Sequence, residues 1–143
     1  MSVTRDNGPS GRRAAGYEGE SAACLWLERN GCTVLCRNYT VRGGEIDIIA
    51  DDGSCILFVE VKLRKPGSLR RPAASVDKTK RERIALAAAR YMAQESPGKP
   101  SRYDVIELVP SDGGYLIRHI KGAFFGENAG DRKIRESFRE RYK

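Results

Sequence analysis

Three charged residues that could do chemistry together lie in the most strand-like stretch of the chain, residues 44–62, which reads GEIDIIADDGSCILFVEVK. They are Asp47, Glu60 and Lys62, and an unpaired charge in an apolar segment is costly. Carboxylates a few ångströms apart raise one another's pKa unless a cation compensates them. A hard cation with oxygen ligands, such as Mg²⁺, would resolve that conflict, and a neighbouring lysine could reach a phosphate oxygen. The pattern therefore indicates metal-assisted phosphate chemistry.

The hairpin signal Asp-Gly at 52–53 predicts how these side chains point. A two-residue loop there places Asp47 opposite Phe58 in an antiparallel ladder. Because side chains alternate along a strand, Asp47, Glu60 and Lys62 then project from one face. The opposite face is wholly aliphatic and must be buried: Ile46, Ile48, Ala50, Leu57, Val59 and Val61.

An ordinary ion pair is the competing interpretation of the same residues. A cross-strand Glu–Lys or Asp–Lys pair on a solvated sheet face is common and contributes little stability. The spacing alone leaves both interpretations open.

Positive charge is concentrated directly after the acidic strand pair. The net charge of the chain is +7, and the segment 62–83 carries nine basic and two acidic side chains, an excess of seven. Such a block suits a phosphate backbone, although a solvated basic loop would look the same. The candidate nucleic-acid contacts within it are Arg64, Lys65, Arg70, Arg71, Lys78 and Lys80.

Length and motifs exclude several other classes of protein. The chain has 143 residues, enough for one domain. It has no apolar run long enough for a membrane span and no secretory signal, so we expect a cytoplasmic protein that does not bind membranes. Four cysteines without a CxxC pair and one histidine do not indicate a zinc site, and reduced thiols are expected. P-loop, GxGxxG and GxSxG strings are absent from the sequence.

Periodicity and turn residues predict an α/β domain around one sheet. We expect residues 1–11 to be disordered, 12–127 to form a single domain, and 128–143 to form a charged tail, either a short helix or disordered. The predicted order is helix, three strands, helix, two strands. Helices are predicted over 12–30 and 76–95, and strands over 32–39, 45–51, 54–62, 102–109 and 115–121.

Asp47, followed on the next strand by Glu60-Val61-Lys62, resembles the signature of the PD-(D/E)xK nuclease superfamily. A longer series of blocks resembles, in order and spacing, the YraN family, an uncharacterised family of small bacterial proteins. The resemblance covers about residues 12–121. The blocks are GYEGESAA (16–23), RNY (37–39), GEIDIIADDG (44–53), FVEVKLR (58–64), SVDKTK (75–80) and RYDV (102–105).

The resemblance implies a restriction-endonuclease-like α/β fold, a central mixed sheet of about five strands flanked by helices, similar to archaeal Holliday-junction resolvases. It implies that Asp47, Glu60 and the backbone carbonyl of Val61 bind Mg²⁺ or Mn²⁺. Lys62 would orient or activate the attacking water and stabilise charge on the phosphate. Glu20, in the first block, would add a carboxylate to the site.

Other matching positions are given lesser roles by the resemblance. Glu45 would join the site or make a structural contact at the start of its strand. Lys80 would contact phosphate, whereas Arg102 and Asp104 are expected to be structural.

The function implied is that of a metal-dependent endonuclease hydrolysing phosphodiester bonds of structured or branched DNA. A nucleic-acid-binding module with an inactive nuclease fold is the alternative, and a purely structural partner-binding domain is a third. DNA is the expected partner, although RNA stays open. By analogy with the similar resolvases, a two-fold homodimer would suit an enzyme that cuts two strands.

Overall fold

The computed structural model describes residues 10–70 and 76–124. Arg71, residues 1–9 and the predicted tail 128–143 lie outside the described residues, and both domain boundaries stay predictions. Within the described part, a short 3₁₀ turn, Ser68–Arg70, accompanies seven helices and strands whose order is the predicted one. These are α1 (Ser10–Arg29), β1 (Thr33–Val41), β2 (Gly44–Asp51), β3 (Ile56–Leu63), α2 (Lys78–Glu95), β4 (Ser101–Ser111) and β5 (Gly114–Ile120).

The five strands form one mixed sheet in the order β1-β2-β3-β4-β5. Neighbouring strands are antiparallel except β3 and β4, which are parallel. Parallel neighbours need a crossover connection, and α2 lies in the segment that joins these two strands. The predicted α/β class, with a mixed sheet of about five strands flanked by helices, is confirmed.

Both faces of the sheet are buried, including the face that was expected to display the acids. Along β3, Phe58 packs into a core with α2, whereas Leu57 and Val59 pack into a second core with α1. The two helices therefore cover opposite faces. Phe58 was expected on the face that displays the acids, and it is 1% exposed because α2 covers that face.

The register between β2 and β3 also differs from the prediction. Asp51 pairs with Ile56 and Ile48 with Val59, so the loop spans four residues rather than two. Asp52 stabilises this longer loop, since its Oδ1 accepts hydrogen bonds at 2.8 Å from the backbone N–H groups of the second and third residues after it. The pairing of Asp47 with Phe58 is wrong by two residues. A register shift of two residues leaves the side chains of β3 on their predicted faces relative to Asp47, because side chains alternate with a period of two.

β1 and β2 are irregular at the position of Asp47. Ile48 and Ile46 pair with Arg37 and Tyr39 of β1, and Asn38, between those two, has a φ of 53°, in the left-handed region. On one side of this point Ile48 packs in the α1 core, whereas Ile46 packs in the α2 core. The expectation that Ile46 and Ile48 share a face is wrong, because the strand changes orientation between them.

Asp104 holds β4 to β5 through a buried polar network. Its carboxylate accepts two hydrogen bonds from Arg102 at 2.7 Å, pairs with His119 Nε2 at 2.8 Å, and accepts one from the Gly122 N–H at 3.0 Å. Burial alone would raise the pKa of Asp104, but hydrogen bonds from Arg102 and His119 bring it below the ordinary value. These contacts support the structural role expected for Arg102 and Asp104.

The remaining general expectations concern the thiols and the membrane. All four cysteines are free, and Cys24 and Cys55 are buried. No helix within the described residues combines the length and apolar character needed to cross a bilayer.

Candidate functional site

A cleft opens where β2 ends its pairing with β3, between the N-terminal half of α1 and the first turn of α2. Its volume is about 280 Å³, which is room for several waters at ~30 Å³ each. We call it the acidic cleft because three carboxylates contribute to its wall. The residues around it are Gly16, Gly19, Glu20, Asp47, Glu60, Val61, Leu63 and Lys80.

Asp47 takes the place of a backbone partner at the end of the β2–β3 ladder. The paired residues run only from Asp51 to Ile48 on β2. One step further, the Asp47 carboxylate Oδ2 accepts a hydrogen bond from the Val61 N–H at 2.8 Å. Continuing the same register places Asp47 opposite Glu60. The structure therefore brings together the two acids that the sequence predicted to share a site.

Glu60 is the most strongly perturbed acid of the cleft. Burial and the neighbouring Asp47 carboxylate raise its pKa to about 8. Its Oε1 is buried and has no hydrogen-bond partner among the described residues. When both acids are ionised, neither can donate a hydrogen bond to the other. Near neutral pH a proton kept by Glu60 relieves this repulsion, and a bound cation could take the place of that proton.

Glu20 enters the cleft from α1, as the resemblance implied. The helix packs closely on the sheet at Gly19, where a Cβ would lie 3.2 Å from the Leu108 side chain. Burial and the Asp47 carboxylate raise the pKa of Glu20, while a hydrogen bond from Asn38 at 3.1 Å and the Arg37 guanidinium at 3.7 Å oppose that rise. Glu20 is thus a third carboxylate, held in place by its own polar partners.

Two lysines approach the acids in different ways. Lys80 Nζ lies 3.8 Å from Glu60 Oε2 and 3.6 Å from Glu45 Oε1. Lys62 follows Glu60 by two residues on β3 and lowers its pKa less than Lys80 does. Among the described residues, no carboxylate forms an ion pair with Lys62. Lys80, predicted only as a phosphate contact, is the cation that touches the acid pair.

The predicted basic contacts are divided between structural and exposed positions. Arg64 forms an ion pair with the fully buried Glu107, which also pairs with Arg118 at 2.6 Å. Lys65 and Lys78 are exposed. The structure does not describe the side chain of Arg70 or any part of Arg71.

A divalent cation fits the donors that the cleft offers. No group of three or more His, Cys, Asp or Glu side chains in the described part of the chain is arranged to hold an ion. The donor set is therefore two carboxylates, Asp47 and Glu60, with the unpartnered Oε1, beside the backbone of Val61. Mg²⁺ is usually held by one or two carboxylates and keeps several waters, so this set suits it better than a transition metal that needs His or Cys.

Sequence reasoning missed the residues that support Glu20. Arg37 reaches the α1 helix through Ser21 Oγ at 3.1 Å, and its guanidinium lies 4.6 Å from the centre of the Tyr17 ring. The sequence block RNY at 37–39 marked this segment as part of the family resemblance, but it did not indicate that Arg37 contacts α1.

Comparison with known proteins identifies relatives over most of the chain. The family model described as "Uncharacterised protein family UPF0102" matches residues 19–108. A UPF0102 protein of Myxococcus xanthus is 39% identical over 117 residues, covering 81% of this chain and 93% of the relative. One of Geobacter metallireducens is 42% identical, covering 78% of this chain and 93% of the relative.

Among solved structures, the chain is similar to Hjc, a Holliday junction resolvase from the archaeal hyperthermophile Archaeoglobus fulgidus. The TM-score is 0.47 with 16% identity, over 78% of this chain and 79% of that one. A likeness at this level carries no argument about activity or substrate.

Proposed function

We propose that this chain, which belongs to the uncharacterised protein family UPF0102, is a metal-dependent endonuclease hydrolysing phosphodiester bonds of structured or branched DNA. UPF0102 is the same family as the YraN family that the sequence resembles. One observation carries the proposal. The Glu60 carboxylate is buried beside Asp47 in a cleft and keeps an oxygen without a partner among the described residues. A buried acid pair of this kind must either keep a proton or bind a cation.

Asp47, Glu60 and the backbone carbonyl of Val61 would hold Mg²⁺ or Mn²⁺. Such an ion, when bound, supplies Lewis-acid catalysis to phosphodiester hydrolysis. Asp47 is also a positioning residue, because its hydrogen bond to the Val61 N–H fixes the distance between β2 and β3 at the cleft.

The other polar side chains would act on water and phosphate. Lys62 would orient the attacking water and stabilise the charge that develops on the phosphate. Glu20, whose pKa is raised, suits a group that accepts a proton from that water. Lys80 would contact a phosphate oxygen.

The exposed lysines support nucleic acid as the partner. Lys65 and Lys78 are free of ion pairs with described carboxylates and lie on segments that flank the cleft. Contacts of this kind bind backbone phosphates and position the duplex without reading its sequence. Arg64, Arg70 and Arg71 stay predictions in this role, with Arg64 engaged by Glu107.

The ion pairs of Lys80 favour one alternative, a nucleic-acid-binding module with an inactive site. Lys80 already compensates part of the charge of Glu60 and Glu45. Such a module would bind DNA or RNA with strong salt dependence, show no metal-dependent turnover, and gain no thermal stability from Mn²⁺.

A cleavage screen tests the proposal. Four-way junctions, flaps, duplexes, single strands and RNA are incubated with the full chain and Mg²⁺ or Mn²⁺. We expect metal-dependent cleavage of branched DNA, its loss in Asp47→Ala and Glu60→Ala, and a strong reduction in Lys62→Ala. Binding of the same DNA in EDTA should be largely retained by all three variants.

Glu95→Ala is the matched control, because it removes an exposed carboxylate at the opposite end of α2. It should cleave like the unchanged chain. Equal cleavage by the Asp47 and Glu60 variants would reject the assignment of the site. Sedimentation of the full chain with and without a four-way junction tests the proposed homodimer.

A further inference from the structure

Lys80 is built into the first turn of α2 so that its ammonium bridges two acids. Asp77, the N-cap of the helix, accepts a hydrogen bond from the Lys80 N–H at 2.9 Å, which fixes the backbone at this residue. The ammonium lies 3.8 Å from Glu60 and 3.6 Å from Glu45. The Lys80 side chain is 30% exposed and Glu60 only 11%. A partly exposed, flexible cation thus reaches a mostly buried carboxylate.

The position of this ammonium matters because of what surrounds Glu60. In the described part of the chain, Lys80 is the one cation within ion-pair distance of that carboxylate. The oxygen it approaches is Oε2, whereas Oε1 stays unpartnered and buried. The contact therefore satisfies the acid pair only in part, and a better cation could replace it.

We propose that the Lys80 ammonium and a divalent ion exchange places at Glu60. Without the ion, Lys80 is held by Glu60 and Glu45 and is withheld from the nucleic acid. When the ion binds Asp47 and Glu60, the ammonium is released and pairs with a phosphate oxygen of the bound strand. The inference rests on the proposed function and adds a regulatory step: Lys80 contributes to nucleic-acid binding only after the ion is bound.

The chemistry of the two cations supports the direction of the exchange. An ammonium is a single charge on a flexible four-carbon stem, so it can swing away without moving the backbone. A divalent ion carries twice that charge and can bind two carboxylates together. Binding of the ion and of nucleic acid then favour each other, and the coupling is reciprocal.

The first test measures Mn²⁺ affinity without nucleic acid, by following free Mn²⁺ with electron paramagnetic resonance. Lys80→Met removes the competing charge and keeps an apolar stem of similar length. We expect it to bind Mn²⁺ roughly fivefold more tightly than the unchanged chain, the effect of one ion pair near a surface. Loss of the ammonium also makes Glu60 bind its proton more tightly, and that proton competes with Mn²⁺. The divalent ion gains twice as much binding free energy as the proton, so Lys80→Met is still expected to bind Mn²⁺ more tightly.

Two further variants make this measurement specific. Lys80→Arg retains the charge and should bind Mn²⁺ as weakly as the unchanged chain. Lys78→Met removes an exposed positive charge from the same turn of α2, outside the acidic cleft. It should change Mn²⁺ affinity less than about twofold, as expected for a screened exposed charge. Thermal unfolding of each variant verifies that it is folded.

The second test measures binding of a four-way junction by fluorescence anisotropy, with EDTA or with Ca²⁺ as the divalent probe. Lys80→Met should weaken binding roughly tenfold with Ca²⁺, the loss of a charge-assisted phosphate contact, and leave binding in EDTA nearly unchanged. Lys78→Met should weaken binding equally in both conditions, because its charge is available in both.

The outcomes separate this inference from the proposed function. If the unchanged chain binds no Mn²⁺, both are overturned. If it binds Mn²⁺ but Lys80→Met binds no more tightly, the exchange is overturned and the nuclease proposal stands. Equal weakening of junction binding by Lys80→Met in EDTA and in Ca²⁺ would also overturn the exchange.

Discussion

Replacing Glu60 by Gln should make the metal-free protein more stable, and the gain should increase with pH. In the folded chain the pKa of Glu60 is about 8, against an ordinary value of 4.5. A carboxyl group with a higher pKa in the folded state binds more protons when folded. Its contribution to the free energy of unfolding is therefore most favourable below pH 4.5 and declines as the pH rises to about 8. Above that value the contribution is constant.

The size of the effect follows from the same two values. One pKa unit corresponds to ~1.4 kcal/mol. Because the unfolded chain loses this proton at a lower pH than the folded chain, the contribution of Glu60 to the free energy of unfolding falls by roughly 3 kcal/mol at pH 7 and roughly 5 kcal/mol above pH 8. Glutamine is neutral throughout this range and has nearly the same shape. Glu60→Gln should consequently match the unchanged chain near pH 5 and melt roughly 10 °C higher at pH 7.

Thermal and urea unfolding in EDTA, at four pH values from 5 to 8, measure the difference. Glu95→Gln is the control, since that carboxyl group is exposed, and it should show no pH-dependent gain. Mn²⁺ should stabilise the unchanged chain at pH 8 and have little effect on Glu60→Gln. A gain that is the same at pH 5 and pH 8, or a loss at pH 8, would refute the reasoning about the buried acid pair.

Further predictions concern Asp47, a tight packing point and a buried charge. Asp47→Asn keeps an oxygen that can accept the hydrogen bond from β3 and removes a charge that raises the pKa of Glu60, so its melting temperature in EDTA at pH 7 should not fall, while stabilisation by Mn²⁺ should be lost; a retained Mn²⁺ shift would contradict its role as a ligand. Gly44→Ala should lower the free energy of unfolding by ~2–3 kcal/mol, because the new Cβ would lie 2.4 Å from a backbone carbonyl of α2. Gly16→Ala, whose Cβ would meet nothing within 4 Å, should raise it by roughly 0.5–1 kcal/mol. Glu107→Gln should cost ~3 kcal/mol in urea unfolding, since it leaves two arginines beside a fully buried neutral group; a cost below ~1 kcal/mol would show that these pairs are as weak as surface pairs.

The shared face of the two acids could be predicted from the sequence although their register could not. Side chains alternate between the two faces of a strand, and this is a local property of an extended chain. A register shift of two residues therefore leaves Asp47 and Glu60 on the same side of the sheet. The actual pairing depended on Asp52, whose carboxylate stabilises a four-residue loop instead of the two-residue one. A side chain that can accept several backbone hydrogen bonds leaves the loop length open when only the sequence is read.

The roles of the basic residues were harder to predict for a different reason. Arg64 was expected at the phosphate backbone, yet it lies beside Glu107, which is 43 positions further along the chain. Lys80 was expected to contact phosphate, and in the structure its ammonium pairs with Glu60, from another element. An excess of positive charge is visible in the sequence, but the partner of each charge is set by which elements pack together.

The sequence by itself determined the order of helices and strands, the α/β class, the family, and the two acids and their side of the sheet, because periodicity, turn residues and motif spacing act over short distances along the chain. Only the tertiary structure decided that both faces of the sheet are buried, that β2 turns at Asp47, and that Glu20 and Lys80 join the cleft from opposite helices. These features depend on α1 and α2 packing against strands distant in sequence. Burial and charge compensation at Glu60 exist only after that packing has formed.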